Sequence, residues 1–272
     1  MTTEHTQISA ADNPALANKL VAEALSEQAV EVAAPVAKIQ LPPDTQVELP
    51  GGLFDPFEGA ITTAEVRELT GADEEAISKI NDQGKALLAI LERATVKIGD
   101  KPADKETLDS LLAGDREMIL LAIRKVTFGT DVVLELNCPF CNQDQVFNID
   151  LDTDVEIKKL EGEELRFEVD CKVGKVVVTL PSGSTQKALV SSNDKTSAEL
   201  DTVVLKSCIS SINDMPVLNV QQIRDLSIKD RRELLSKISE RNPGPQLSEI
   251  KKECMSCGQG VPLPLTLADL FR

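Results

Sequence analysis

The sequence predicts an α+β fold, with helices segregated from a small antiparallel sheet, on three observations. The apolar spacing is helical through most of residues 71–129 and changes to a period of two from Val132. The helical spacing then returns in SAELDTVVLKSCISSI and in VQQIRDLSIKDRRELLSKISER. Two Cys-x-x-Cys knuckles, CPFC at 138–141 and CMSC at 254–257, stand in extended stretches on either side of that second helical block.

Three regions follow from the chain read in order. Residues 1–48 are rich in Ala, Pro, Thr, Gln and Glu and read as a flexible acidic tail. Within it, Leu16, Leu20, Val21, Ala24 and Leu25 recur at helical spacing, so the segment is either a short docking helix or a solvated arm, ended by Pro35 and Pro42. Residues 49–130 are expected to be mainly helical. LPGGLFDPFEGAITT supplies turn chemistry and a short strand, and a helix then starts at Thr70, where Asp73 three residues on completes a capping box. The acids at 73–75 suit that helix's positive end. Ala76, Ile77, Ile80, Ala86, Leu87, Ile90 and Leu91 supply the apolar positions of one or two helices. SLLAGDREMILLAIRKVTFG is the clearest helix, stopped by Gly129 and apolar around so much of its girth that it should be buried.

The third region, 131–272, begins with VVLELNC and QVFNIDLD, which read as a β-hairpin carrying the first knuckle at its tip. DVEIKKL, LRFEVDC and KVVVTL read as further strands, PSGS as a tight turn and QKALV as a returning strand. After the second helical block, NPGPQLSEIKKECMSC returns as a strand to the second knuckle. The hairpin at 133–150 and the strand pair near 250–264 should lie side by side, and this region is expected to pack with 49–130.

Each knuckle offers two soft sulfur ligands one short turn apart. Together Cys138, Cys141, Cys254 and Cys257 are expected to make the four-thiolate shell of one structural Zn²⁺, the arrangement of a zinc ribbon, with metal-free thiols or an occasional disulfide as the alternative. A catalytic zinc keeps a position open for water, and four cysteines leave none. The single histidine, His5, lies in the tail, so the folded region holds no Ser-His or Cys-His constellation, and no enzyme activity or small-molecule substrate is expected. Neither GxxxxGK[ST] nor GxGxxG occurs. A thiol-redox reading of CPFC has the second knuckle and the lack of a βαβ context against it. Cys171 and Cys208, each alone in an apolar run, read as small buried hydrophobes.

Composition narrows the partners. Twenty-nine basic against 45 acidic residues give a net charge of −16, which opposes a phosphate backbone; near the two knuckles the local basic clusters are the Arg231–Arg232 pair, which a solvated helix face accounts for, and Lys251–Lys252. No run approaches the roughly 18 apolar residues of a membrane span, and the N-terminus lacks a signal-peptide layout. A soluble, non-secreted protein is expected, with no nucleic acid and no membrane among its partners. With no Trp or Tyr and seven Phe, its core must be aliphatic.

The ordered phrases LPGGLF, VRELTGADEE and GDREMILLAIRKVTFG running into CPFC resemble the phage baseplate-hub family typified by the T-even hub protein. LPSGS, DLSIKDRRELLSKI, NPGPQLSEIKKECMSCG and VPLPLTLADLFR extend the resemblance over roughly 48–272. The tail is longer than that pattern, and Phe271 is the one aromatic near the C-terminus. The resemblance implies a non-enzymatic structural or assembly component of a contractile-tailed phage baseplate. It would be found in the virion tail or, during assembly, in the host cytoplasm, with other baseplate or tail proteins as partners. The four cysteines taken alone leave open a cellular zinc-ribbon adaptor or transcription-type module.

Overall fold

The computed structural model describes residues 45–55, 59–160, 165–192, 194–263 and 265–271. The candidate helix at 15–34 and the tail up to residue 44 lie outside them. Within the described residues helices alternate with short antiparallel sheets, and the stretch expected to be mainly helical also contains four strands. β1 (Gln46–Asp55), β2 (Gly59–Val66), β3 (Thr95–Ile98) and β4 (Lys101–Pro102) pair in that order. The register of β1 against β2 breaks between Glu48 and Leu53, where Gly52 adopts φ +71. A side chain there would be strained, which accounts for the glycine.

Helices α1 (Gly71–Ile77) and α2 (Gln83–Ala94) are inserted between β2 and β3. The predicted capping box is present: the Thr70 backbone N–H and hydroxyl each donate to Asp73 Oδ2 at 2.9 Å. Asp73 does more than cap. It is 1% exposed, and Arg67 donates from Nη1 at 2.6 Å and from Nη2 at 3.1 Å, while Arg93 Nε donates at 2.8 Å. The Arg67 guanidinium first, with Thr70 and Arg93 adding to it against burial, holds the carboxyl far below the usual carboxylate range. Asp73→Asn keeps one acceptor but removes the charge shared by two arginines. It is expected to cost about 3 kcal/mol in urea unfolding, the lower end for a broken buried pair because both arginines are partly solvated.

After α3 (Lys105–Ser110), α4 (Ala113–Phe128) runs through the middle of the molecule. Its buried apolar residues, together with Leu112 just before it, reach three cores. Ile119, Leu120 and Ile123 pack with Val47, Leu49, Val66, Leu91 and Ile98 beneath the first sheet. Leu121 enters the core of the cysteine hairpins, and Leu112, just before the helix, enters the core of the second sheet. Gly129 ends it at φ +84, and the buried Arg124 closes the end by donating to the carbonyls of Gly129 at 2.7 Å and Asp131 at 3.1 Å. At the other end Asp115 Oδ1 accepts from Gly51 N at 2.7 Å, tying the helix to the irregular part of β1.

Two residues along, Glu117 is half-buried, with Gln186 Nε2 at 3.5 Å from Oε1, and burial pushes its carboxyl up to about 7. The folded protein therefore retains a proton that the unfolded chain, at an ordinary 4.5, releases. Stability from this site is full below about pH 4.5 and is lost as pH rises towards about 7. Comparing Glu117→Gln with the parent by thermal melting at several pH values should show the variant losing less stability across that window. Parallel curves would contradict the assignment.

The second sheet has the order β11 (Met215–Pro216), β10 (Ile209–Ile212), β9 (Gly174–Thr179), β8 (Arg166–Cys171). Two expectations are corrected here. QKALV is not a returning strand: α5 (Gly183–Val190) occupies it, and the strand that pairs with β9 comes only after α6 (Ser197–Cys208). PSGS is not a hairpin turn, because Ser182 and Thr185 form a capping box that starts α5. Gly183 is required there, since a Cβ would lie 2.1 Å from Arg116 Nη1 and 2.6 Å from the Leu108 carbonyl oxygen. The long helical pattern at 220–241 is two helices, α7 (Val220–Arg224) and α8 (Ile228–Arg241). Ser227 separates them by accepting from Asp230 N at 3.1 Å as the N-cap of α8.

The remaining strands form three separate pairs: β5 (Asp131–Asn137) with β6 (Asp144–Asp150), β7 (Ile157–Lys158) with β12 (Gly244–Pro245), and β13 (Lys251–Glu253) with β14 (Gly260–Pro262). The single small sheet expected for this region is thus four sheets, the second sheet included. The β7–β12 pair brings Pro243 and Gly244 onto the N-terminus of α4, where a Cβ on Gly114 would stand 1.7 Å from the Pro243 carbonyl oxygen. At this crossing backbone lies directly on backbone.

Candidate metal centre

The two cysteine hairpins repeat one local construction. In the first, Cys138 follows β5, its N–H donates to the Gln143 carbonyl at 2.9 Å, and Asn142 N donates to the Cys138 carbonyl at 2.8 Å. In the second, Cys254 follows β13, its N–H donates to the Gln259 carbonyl at 2.9 Å, and Gly258 N donates to the Cys254 carbonyl at 2.8 Å. Asn142 at φ +57 and Gly258 at φ +71 hold the same left-handed position, which Asn and Gly adopt at least cost. CPFCNQ and CMSCGQ therefore share six-residue loop geometry as well as cysteine spacing.

These loops meet. Cys138 Sγ lies 3.8 Å from Cys257 Sγ, Cys141 Sγ lies 3.7 Å from Cys254 Sγ, and the four sulfurs all fall within 4.8 Å of one another. Zinc–sulfur bonds of about 2.3 Å in a tetrahedron imply sulfur–sulfur edges of about 3.8 Å, so this cluster could hold such an ion with little rearrangement. The first cysteine of each knuckle is buried, Cys141 is half-buried and Cys257 is exposed, so the cluster has a core side and a solvent side.

The electrostatics also suit a cation. Burial opposes ionisation of Cys254, but the N–H groups of Cys257 and Ser256 and the neighbouring thiols outweigh it and bring the thiol down to about 6. At Cys141 the Gln143 N–H favours the thiolate, yet burial and the three other cysteines prevail and push it up to about 12. Four thiols this close cannot all ionise by themselves, and a divalent cation removes that repulsion. An all-sulfur donor set favours a soft or borderline metal such as zinc over calcium or magnesium.

Contacts around the cluster join the hairpins side by side without merging them into one sheet. Gln145 on β6 donates from Nε2 to Ser256 Oγ at 3.0 Å and accepts from Met255 N at 3.2 Å. Lys252 Nζ pairs with Asp154 at 2.5 Å. Beneath them Phe147, Ile149, Leu151, Ile250, Val261 and Leu263 form a continuous core with Cys138 and Cys254. Gln145 carried no signal in the sequence and Lys252 showed only as half of a basic pair, because the role of each depends on which distant loop folds against it.

The other two cysteines take no part. Cys208 is buried in the second core, which pushes its thiol up to about 12. Cys171 is half-buried, and burial, with the nearby carboxylates Asp230, Glu233 and Asp170, raises it to about 11. Among the described residues no helix is long and apolar enough to cross a membrane.

Fold and site together define a mixed α+β protein in which two distant hairpins close on a four-thiol joint. A family model described as T4 bacteriophage base plate protein matches residues 59–242, and the chain belongs to that family. It is thus a phage protein of the virion tail baseplate, which decides between the phage reading and the cellular adaptor. The matched span includes Cys138 and Cys141 and stops before Cys254 and Cys257. No curated protein and no solved structure matches the chain.

Proposed function

We propose that this chain is a non-enzymatic structural component of the hub region of the baseplate, and that one Zn²⁺ bound by Cys138, Cys141, Cys254 and Cys257 closes its body as a zinc ribbon. The observation that supports this most strongly is the meeting of two knuckles, far apart in sequence, at sulfur–sulfur distances of 3.7 and 3.8 Å. Everything from Asn142 to Glu253 leaves the joint and returns to it. The ion would supply a cross-link between the hairpins and no chemistry on a substrate. Gln145 would orient the second knuckle through Met255 and Ser256, and the N–H groups facing the sulfurs would stabilise their negative charge.

Such a joint suits a part of a contractile machine. It fastens both ends of a body of about a hundred residues, so load at one hairpin passes to the second sheet and α4 without opening the chain between them. Partners are then bound by surfaces on a rigid frame. Quantitative mass spectrometry of purified virions tests the reading: the chain should occur at a fixed ratio to other baseplate proteins, and its absence from intact particles would overturn a role as a built-in component.

A further inference from the structure

The outer face of α6 lies in a groove. Glu199, Thr202, Val203, Lys206 and Ser207, at helical spacing, form its floor. One wall is the end of α5 with the following loop, through Ala188, Ser192 and Lys195; the other is α7, through Val220 and Arg224. The cavity measures about 570 Å³, and residues 199–207 extend roughly 12 Å along the helix axis. This is room for about four residues of extended peptide at roughly 3.3 Å each.

The charge of this groove runs against the rest of the chain. Three cations, Lys195, Lys206 and Arg224, converge on it, in a protein of net charge −16. Its one carboxylate, Glu199, is already occupied, accepting from the Thr196 N–H at 2.9 Å and hydroxyl at 2.8 Å as part of the α6 capping box. Lys195 Nζ donates to Ser192 Oγ at 2.9 Å, which fixes it at the rim. Among the described residues Lys206 and Arg224 close no ion pair within 4.0 Å, and Arg224, like Lys195, lies near enough to Glu199 to act on its carboxylate. Beneath the floor Arg231 spends its guanidinium on Ala198 O and Thr202 Oγ1, both at 2.9 Å, and so holds α8 against α6. The groove is therefore a supported concavity in which three cations outnumber one carboxylate, with hydroxyls and a strip of methyl groups between them.

We infer that the α5–α6–α7 groove is a docking site for an acidic, extended segment of a partner protein, its carboxylates meeting Lys195, Lys206 and Arg224. A nucleic-acid strand fits less well, because three cations over this length face a strongly negative remainder that repels a continuous phosphate backbone. The inference rests on the reading of the chain as a protein that works by protein contacts, but its test needs neither zinc nor a virion.

The probe is a fluorescein-labelled (Glu-Ala)₅ peptide titrated with the full chain at low salt, with (Gln-Ala)₅ and inorganic phosphate as separate arms. The expected result is salt-sensitive binding of the glutamate peptide that weakens at least about tenfold in the double variant Lys206→Glu/Arg224→Glu. The expectation includes unchanged affinity in the control Lys229→Glu/Lys251→Glu and an unchanged melting temperature in both. No binding at millimolar peptide, equal weakening in the control, or equal binding of (Gln-Ala)₅ would each overturn the proposal. Displacement by millimolar phosphate would also overturn it, in favour of a simple anion site. If the groove binds but the chain is missing from virions, the baseplate-component reading fails and the groove stands; in the opposite case the groove alone fails.

Discussion

Cys254→Ser should abolish metal binding and lower the melting temperature by on the order of 10–20 °C, the shift expected for about 5 kcal/mol in a body of this size. The sulfur of Cys254 is buried and forms one of the two closest sulfur pairs, so a hydroxyl there leaves a four-ligand shell with three soft donors. Structural zinc contributes on the order of 10 kcal/mol in small peptides, where it organises the whole fold. Here the hydrophobic cluster beneath the joint retains part of the structure. The damage should concentrate in the hairpins, with faster amide exchange at 131–150 and 251–262 and little change in the first sheet. Cys141→Ser and Cys257→Ser should fall with it to a similar extent, whereas Cys171→Ser should stay within about 1 kcal/mol of the parent. Equal effects at Cys171 and Cys254 would mean that the cluster is ordinary packing.

Gly114→Ala should be the most damaging single substitution outside the cluster, at about 4 kcal/mol by urea unfolding. The added methyl would sit 1.7 Å from the Pro243 carbonyl oxygen and 3.2 Å from Gly244 N, and neither is the end of a movable side chain. Relief requires shifting the β7–β12 pair away from α4, which would also disturb the Asp115 contact with Gly51. Gly71→Ala is the matched control. Nothing lies within 4 Å of its added Cβ at the start of α1, so it should be neutral or slightly stabilising. Zinc content should stay at one per chain in both variants, which separates this defect from that of the cysteines.

How far the sequence could be read depended on how local each feature is. The β5–β6 hairpin was legible from the change to a period of two at Val132, and its register, Asp131 with Asp150 through Asn137 with Asp144, follows from the loop between the cysteines. The Thr70 cap and the burial of α4 were legible for the same reason. The first sheet was largely missed because Gly51 and Gly52 interrupt β1, while β3 and β4 are too short to show a period. QKALV was misread because five residues of mixed polarity fit either period, and the deciding feature was the Ser182–Thr185 cap. At the site, spacing alone named the four cysteines. Gln145 could not be found that way, since it meets Ser256 across 111 positions, and neither could the groove, whose three cations come from three separate segments.

Native mass spectrometry of the chain purified without chelator, read beside elemental analysis, decides whether the four-cysteine joint is a zinc staple. One zinc ion per chain, retained in Cys171→Ser and absent from Cys254→Ser, is the predicted result. A metal-free parent that melts no lower after treatment with a strong chelator would contradict it.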